Sequence, residues 1–230
     1  MTTTLVTGAN KGLGLETARR LLGEGHEVWM AARDSDRGAA AAEELGARFV
    51  TLDVNDEASV AAAVRTLTDA GGLDVLVNNA GIAGRRAAIA ETTAEDVREV
   101  FETNVFGAVR VLQAFTPLLD ASSAPVVVNV SSGLGSLALA SDPDGTYATF
   151  LALAYPASKA ALNMLTVKWA AAHPRWRINA ADPGFTATDL NEHRGTQTVQ
   201  EGTDAIVALA CLGLDGDTGA YLSREGQVPW

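Results

Sequence analysis

The chain contains one cysteine, Cys211, and three histidines in 230 residues. A lone thiol excludes an internal disulfide framework and a cysteine-cluster metal site, and the scattered histidines lack ligand spacing. No metal is therefore expected, and a reducing, cytoplasmic setting is. Basic residues are also scarce, with 17 Lys plus Arg against 28 Asp plus Glu and a formal net charge of −11. That balance repels phosphate backbones, so neither nucleic acid nor an anionic membrane is an expected partner, and any polyanionic ligand must be held by local groups. No apolar run approaches a membrane span, and Met1 to Gly8 carry no basic leader. Hydrophobic residues are plentiful, 47% against 20% charged, which supplies a substantial core and excludes bulk disorder. At this length a single α/β domain over residues 1–230 is expected.

Short apolar, β-favouring segments recur at Thr4–Thr7, Glu27–Ala31, Arg48–Leu52, Asp74–Val77, Val126–Val130 and Arg177–Ala180. Between them lie stretches of helical period at about Gly12–Gly23, Ser35–Leu45, Glu57–Ala70, Thr93–Leu119 (broken near Gly107) and Tyr155–Ala172, the last stopped by Pro174. This alternation predicts right-handed βαβ crossovers and a doubly wound parallel sheet of about seven strands with helices on both faces. Two stretches read as loops: Ser136–Gly145, and the polar Asn191–Gly202, which is equally compatible with a lid or a helix.

The first strand runs directly into Thr7-Gly8-Ala9-Asn10-Lys11-Gly12-Leu13-Gly14 and then into a helix. Glycines here permit positive φ and a close backbone approach to a pyrophosphate, while the helix N-terminus adds partial positive charge. The pattern is not a P-loop, because no Gly-Lys-Ser/Thr follows, so nucleotide hydrolysis is disfavoured. The second strand ends in Ala31-Ala32-Arg33-Asp34. An acid at this point would take the ribose 2′-hydroxyl of a dinucleotide, whereas arginine would hold a 2′-phosphate. Lys11, Arg33 and Arg37 could converge on one phosphate, which favours NADP(H) over NAD(H). The alternative is a solvated charge cluster of Arg33, Asp34, Asp36 and Arg37, with Asp34 still able to reach a ribose. Asp53, followed by Val54 after the third strand, would lie at the adenine edge or act as an ordinary helix N-terminal acid.

Beyond the fourth strand, Asn78-Asn79-Ala80-Gly81 is a turn of small residues that can be entirely structural. Asn104-Val105-Phe106-Gly107 interrupts a long helix where a local hydrogen-bond network would kink it. The fifth strand ends in Ser131-Ser132, at the carboxyl edge where open α/β sheets bind ligands. In Tyr155-Pro156-Ala157-Ser158-Lys159 the tyrosine and lysine share a helix face, so the ammonium is expected to favour the phenolate and bring the phenol toward useful proton chemistry. Pro156 fits only if Tyr155 lies at the helix start. Among isolated residues, Trp29 reads as sheet core, Trp169 and Trp176 as packing at a helix end, His173 as a helix C-terminal cap, and Cys211 as a buried small hydrophobe.

Together these motifs resemble the short-chain dehydrogenase/reductase family from Thr4 to roughly Leu190. The family's cofactor turn matches Thr7–Gly14 and its adenine-side acid matches Asp53. Its Asn-Asn-Ala-Gly matches Asn78–Gly81, and its catalytic Asn-Ser-Tyr-Lys set falls on Asn104, Ser132, Tyr155 and Lys159. Pro183, Gly184 and Thr188 resemble its loop at the nicotinamide end. Two departures stand out: Asp182 directly precedes Pro183, and Ser132 and Tyr155 are 23 residues apart. The longer segment 133–154 resembles carbonyl-reductase-like members, in which such a loop can shield a dimerisation face, so monomer and homo-oligomer both stay open. Tyr147 within it reads as a loop aromatic.

The resemblance implies NADPH-dependent hydride transfer to a small-molecule carbonyl substrate, or the reverse from an alcohol. It makes Tyr155 the general acid, Lys159 the group that lowers the phenol pKa and holds the nicotinamide ribose, Ser132 the carbonyl-orienting hydroxyl and Asn104 the holder of a relay water. It also implies a mainly cofactor-binding half, 1–120, and a catalytic and substrate half, 121–230. The expected pocket lining comprises Ile82, parts of 133–150, Phe185 and 191–202, mostly apolar, so a neutral aldehyde or ketone is expected. The alternative is a non-catalytic NADP(H)-binding sensor on the same scaffold. A nucleotide-sugar epimerase or dehydratase is disfavoured, because about forty residues after Leu190 cannot supply its larger substrate domain.

Overall fold

Alternate side chains of the central strands enter two separate cores. Leu5, Trp29, Leu76 and Val127 pack on one side, and Val6, Met30, Val77 and Val128 on the other, as the two-residue period of an extended chain requires. The computed structural model describes residues 1–230. It contains strands β1 Thr3–Thr7, β2 Glu27–Ala32, β3 Arg48–Thr51, β4 Val75–Asn78, β5 Val126–Val130, β6 Arg177–Ala181, β7 Tyr221–Ser223 and β8 Gly226–Gln227. They form one sheet in the order β3-β2-β1-β4-β5-β6-β7-β8. All neighbours are parallel except the terminal β7–β8 hairpin. The strand order reverses between β1 and β4, which opens a crevice at the carboxyl edge.

The helices are α1 Gly12–Gly23, α2 Ser35–Leu45, α3 Glu57–Asp69, α4 Ala94–Phe101, α5 Ala108–Ala121, α6 Leu137–Ser141, α7 Ala154–Ala172, α8 Val199–Gly202 and α9 Asp204–Ala210. Apolar residues of α3, α5 and α7 cover one face of the sheet, and those of α1, α2 and α9 cover the other. No helix is long and apolar enough to cross a membrane.

Five expectations change. The 136–145 stretch, read as a loop, contains the short helix α6, with Ser136 as its N-cap. The sheet has eight strands, because the short β7 and β8 carry too few residues for a periodic signal. The C-terminal α9 was not anticipated, although Ile206, Val207 and Leu209 enter the core. The 191–202 stretch is not one uniform loop: a 3-10 turn spans Asp189–Asn191, and α8 is capped by a Thr198/Glu201 capping box. Cys211 is exposed, since it caps the C-terminus of α9 and its Sγ lies 3.9 Å from His26 Nε2 at the amino edge of the sheet. Trp29 and Trp176 are buried, and His173 caps α7, as expected.

Candidate active site

The glycine turn closes tightly on itself and stays open toward the crevice. Gly8 and Gly12 have φ of +64° and +55°, a region that favours glycine. At Gly14 a Cβ would lie 2.5 Å from both the Gly8 carbonyl oxygen and Asn79 Nδ2, so α1 can meet the turn only without a side chain there. Helices α2, α3 and α4 are capped by the side chains of Asp34, Asp56 and Thr93, whereas α1 has neither a side-chain cap nor an acid in its first turn. Its free N–H donors around Leu13 and Gly14, next to half-buried Asn10, suit an anionic group.

The three cations expected on one phosphate do not converge. Lys11 Nζ donates to Asp189 Oδ2 at 2.7 Å, and Arg37 Nε donates to Asp34 Oδ2 at 2.6 Å. Nearby carboxylates thus engage two of the three through charge-assisted contacts. Arg33 is exposed and makes no ion pair, so it is the cation left available at the end of β2. Asp34 is occupied by Arg37 and by capping α2. Asp53 closes β3 with Oδ1 accepting from Asn55 N at 2.9 Å, and Val54 is buried against Gly107.

Asn79 serves the turn itself. Its Nδ2 donates to the carbonyls of Thr7 and Gly8, while Thr7 Oγ1 accepts from the N–H groups of Asn79 and Ala80 at 3.0 Å. The structural reading of this turn therefore holds for the Asn79 side chain. Gly81 adjoins two of the candidate residues, because a Cβ there would fall 3.2 Å from Asn104 Oδ1 and 3.7 Å from Lys159 Nζ.

Asn104 lies in a π-helical segment, Glu102–Gly107, between α4 and α5, the break anticipated near Gly107 and a distortion common at functional sites. Its Oδ1 accepts from Ile82 N at 2.8 Å, and its Nδ2 donates to Ile82 O at 2.9 Å and Ser158 Oγ at 3.0 Å. Ser158 Oγ in turn donates to the Tyr155 carbonyl at 2.7 Å. Asn104 thus ties the loop after β4 to the first turn of α7.

Tyr155 is the second residue of α7, where Pro156 is tolerated. Lys159 is buried one turn on, its Nζ donating to the Val130 carbonyl at 2.8 Å and lying 5.6 Å from the Tyr155 ring centroid. Ser132 Oγ accepts from Leu134 N at 3.3 Å, and its hydroxyl acts on the Tyr155 phenol, favouring the phenolate.

The electrostatics differ from the expectation that Lys159 would lower the phenol pKa. Burial pushes the Tyr155 phenol up to about 12; the Ser132 hydroxyl opposes that rise, and the Asp182 carboxylate adds to it. Burial also lowers the Lys159 ammonium to about 8. Desolvation prevails because Lys159 is buried and Tyr155 half-buried, and the ammonium is directed to a backbone carbonyl rather than to the phenol oxygen.

The loop after β6 passes over the glycine turn. Gly184 has φ of +64°, Thr186 Oγ1 donates to the Pro183 carbonyl at 2.7 Å, and Thr188 Cγ2 comes within 3.7 Å of the point a Cβ on Gly12 would occupy. Sequence reasoning missed the polar supports beneath these residues. Asn78 Nδ2 donates to Asn129 Oδ1, whose own Nδ2 donates to Thr166 Oγ1, and Asn163 joins Ser131 Oγ to the Gly135 carbonyl. The available signal was a stripe on α7, since Tyr155, Lys159, Asn163 and Thr166 recur at helical spacing on a face directed at the polar ends of the strands.

A glycine turn at an uncapped helix start, below the reversal point of a doubly wound sheet, defines the Rossmann class of α/β proteins. The description "short chain dehydrogenase" matches residues 2–198, and the chain belongs to that family. It is 35% identical to (+)-neomenthol dehydrogenase of Arabidopsis thaliana, with 96% of this chain and 95% of that one covered. Among solved structures, the NADPH-bound carbonyl reductase from chicken fatty liver superposes with a TM-score of 0.84 at 32% identity, covering 100% of this chain and 99% of that one. Salutaridine reductase from Papaver somniferum superposes at 0.83 with 28% identity, covering 96% and 99%.

Proposed function

We propose that this chain is an NADP(H)-dependent reductase that converts a ketone or aldehyde to an alcohol, and runs the reverse reaction, with Tyr155 as the general acid and base. The observation that carries the reading is the meeting of Tyr155, Lys159 and the hydroxyl of Ser132 at the carboxyl edge, where Asn104 joins the loop after β4 to α7. Relatives named for menthol-type and salutaridine chemistry, and a carbonyl reductase with NADPH bound, support it.

The coenzyme fits the turn. The N–H groups of Gly12, Leu13 and Gly14 would hold its pyrophosphate and Arg33 its 2′-phosphate, with Asp53 and Val54 at the adenine and Ala80, Gly81, Pro183, Gly184 and Thr188 toward the nicotinamide. Asn10 and Lys11 would lie along the phosphates, Lys11 by exchanging Asp189 for the ligand and Arg37 by exchanging Asp34. When bound, NADPH supplies the hydride that reaches the carbonyl carbon. Ser132 donates a hydrogen bond to the carbonyl oxygen and fixes its position. Tyr155 gives its proton to the same oxygen as charge develops there. Lys159 places a positive charge one turn below the phenol and would hold the nicotinamide ribose. The missing side chain of Gly81 leaves space between Asn104 Oδ1 and Lys159 Nζ for a water that returns the proton. Exposed Leu137, Phe150, Leu151, Phe185 and Leu190 suit an uncharged, largely apolar carbonyl compound.

The test is NADPH oxidation with a panel of cyclic and aromatic ketones and aldehydes. Turnover of at least one is expected, with a preference for apolar ones. Tight NADPH binding without turnover of any would contradict the proposal and favour a sensor. Arg33→Asp is expected to lower the NADPH-over-NADH preference by at least tenfold, through lost charge pairing and added repulsion of the 2′-phosphate; an unaltered ratio of kcat/KM values would place that phosphate elsewhere.

A further inference from the structure

Helix α6 is five residues long and buries none of them, and a helix of that length has little stability of its own in water. Its support comes from the far end of the chain. Ser136, its N-cap, is fully buried; its Oγ accepts from Leu139 N at 3.1 Å and donates to the Pro229 carbonyl at 2.6 Å. Ala138 N donates to the Trp230 carbonyl at 3.0 Å. Leu139 packs on a small apolar cluster of Ala180, Tyr221 and Val228, separate from both cores of the sheet. The Trp230 ring covers that cluster, stacked on Tyr221 with centroids 5.1 Å apart and planes at 22°.

Helix α6 also continues the turn that carries Ser132. The 3-10 turn Gly133–Gly135 joins the two, and α7 holds its inner side. The Gly135 carbonyl accepts from Asn163 Nδ2 at 3.1 Å, and a Cβ on Gly135 would lie 2.7 Å from the backbone carbon of Lys159. The outer side rests on residues 228–230. Leu137 and Leu139 lie about 200° apart around a helix, so fixing Leu139 on Tyr221 turns Leu137 outward, exposed, with half-buried Leu134 one turn before it.

We infer that Trp230 is a positioning residue of the reaction proposed above: its stack on Tyr221 anchors α6, and α6 fixes Leu134 and Leu137 as the wall on which the apolar part of the ketone lies. The inference rests on the reading of Ser132 as the group that orients the carbonyl. Leu134 and Leu137 follow Ser132 by two and five residues, so one short run of backbone sets both the carbonyl and the wall. A wall ordered in advance spares the ligand the cost of ordering it, whereas a loose one forfeits binding energy from whatever part of the ligand reaches it. A small ketone does not reach it, and the glycine turn that fits the coenzyme lies on other elements, so neither depends on the anchor.

Hydrogen exchange read by mass spectrometry on peptides covering 133–141 tests the anchor. In Trp230→Ala, exchange at the Ala138 and Leu139 amides is expected to speed up by about tenfold or more. Trp230→Phe keeps a ring for the stack and should stay close to wild type. Kinetics with butanone and with the bulkiest apolar ketone of the panel test the wall. In Trp230→Ala, kcat/KM for the bulky ketone should fall about tenfold, mainly through KM, with butanone and NADPH affinity within about twofold of wild type. Ser136→Ala removes the bond to Pro229 and leaves the stack; it should shift both readouts in the same direction, and decides the matter should Trp230→Ala fail to fold. Unchanged exchange, an equal loss for both ketones, or a phenylalanine variant as impaired as the alanine one would overturn the inference. Exchange needs neither substrate nor coenzyme, so absence of turnover across the panel would count against the reductase and not against the anchoring of α6 by Trp230.

Discussion

Tyr155→Phe is expected to bind NADPH as the wild type does and to lose ketone reduction by about 10²–10⁴-fold, the usual contribution of a positioned general acid. The ring stays, so packing at the start of α7 is kept. Asn104 and Ser158 hold that turn through the Tyr155 carbonyl rather than the phenol, so the backbone there is unaffected. Only the transferable proton is removed. NADPH fluorescence on binding and initial rates with the best ketone of the panel separate the two effects. A reduction rate within a few-fold of wild type, with binding intact, would assign the proton to another group.

Lys159→Met is expected to reduce kcat/KM by at least a hundredfold while leaving thermal stability at neutral pH unchanged or raised. Burial lowers the ammonium from 10.5 to about 8. The unfolded chain therefore holds a proton that the folded chain releases between those values, and stability rises with pH across that window. Below pH 8 both states are charged, and the fold carries the full cost of burying the ammonium, about 3 kcal/mol. Methionine removes that cost and forfeits one hydrogen bond to Val130 O, worth about 1 kcal/mol. Melting curves across the alkaline range should lose their upward slope near pH 8 to 10 in the variant. Tyr155 has the opposite sign: its raised pKa gives stability that is lost as pH climbs from about 10 toward 12. The reductase pH profile should fall through a limb near 8 as the ammonium loses its charge. A marked drop in melting temperature at neutral pH would make the ammonium a structural support instead.

The elements that reason well from sequence are those whose signal is local. Strands such as Val126–Val130 are apolar runs broken by one polar residue, Asn129, and α1 and α2 match their expected bounds because Gly12 and Gly46 mark a start and a stop. The candidate set could be named because Tyr155 and Lys159 share a helix face, and Ser132 and Asn104 fall at a strand end and at a helix distortion. Long-range partners were not legible. Lys11 pairs with Asp189 across 178 residues of chain, and nothing near either residue encodes that. The sign of the Tyr155 shift depends on desolvation and on Asp182, which only the fold brings together. β7 and β8 take their place from pairing with β6 and with each other, not from their own pattern.

Hydride delivery to a carbonyl beside Tyr155 is the central step of the proposed reaction. Reduction of the best ketone with NADPH carrying deuterium at the transferable C4 position tests it most directly. Mass spectrometry of the product is expected to find one deuterium on the carbinol carbon, with formation abolished in Tyr155→Phe. A product without the label, or label transfer that persists at the wild-type rate in the phenylalanine variant, would contradict it.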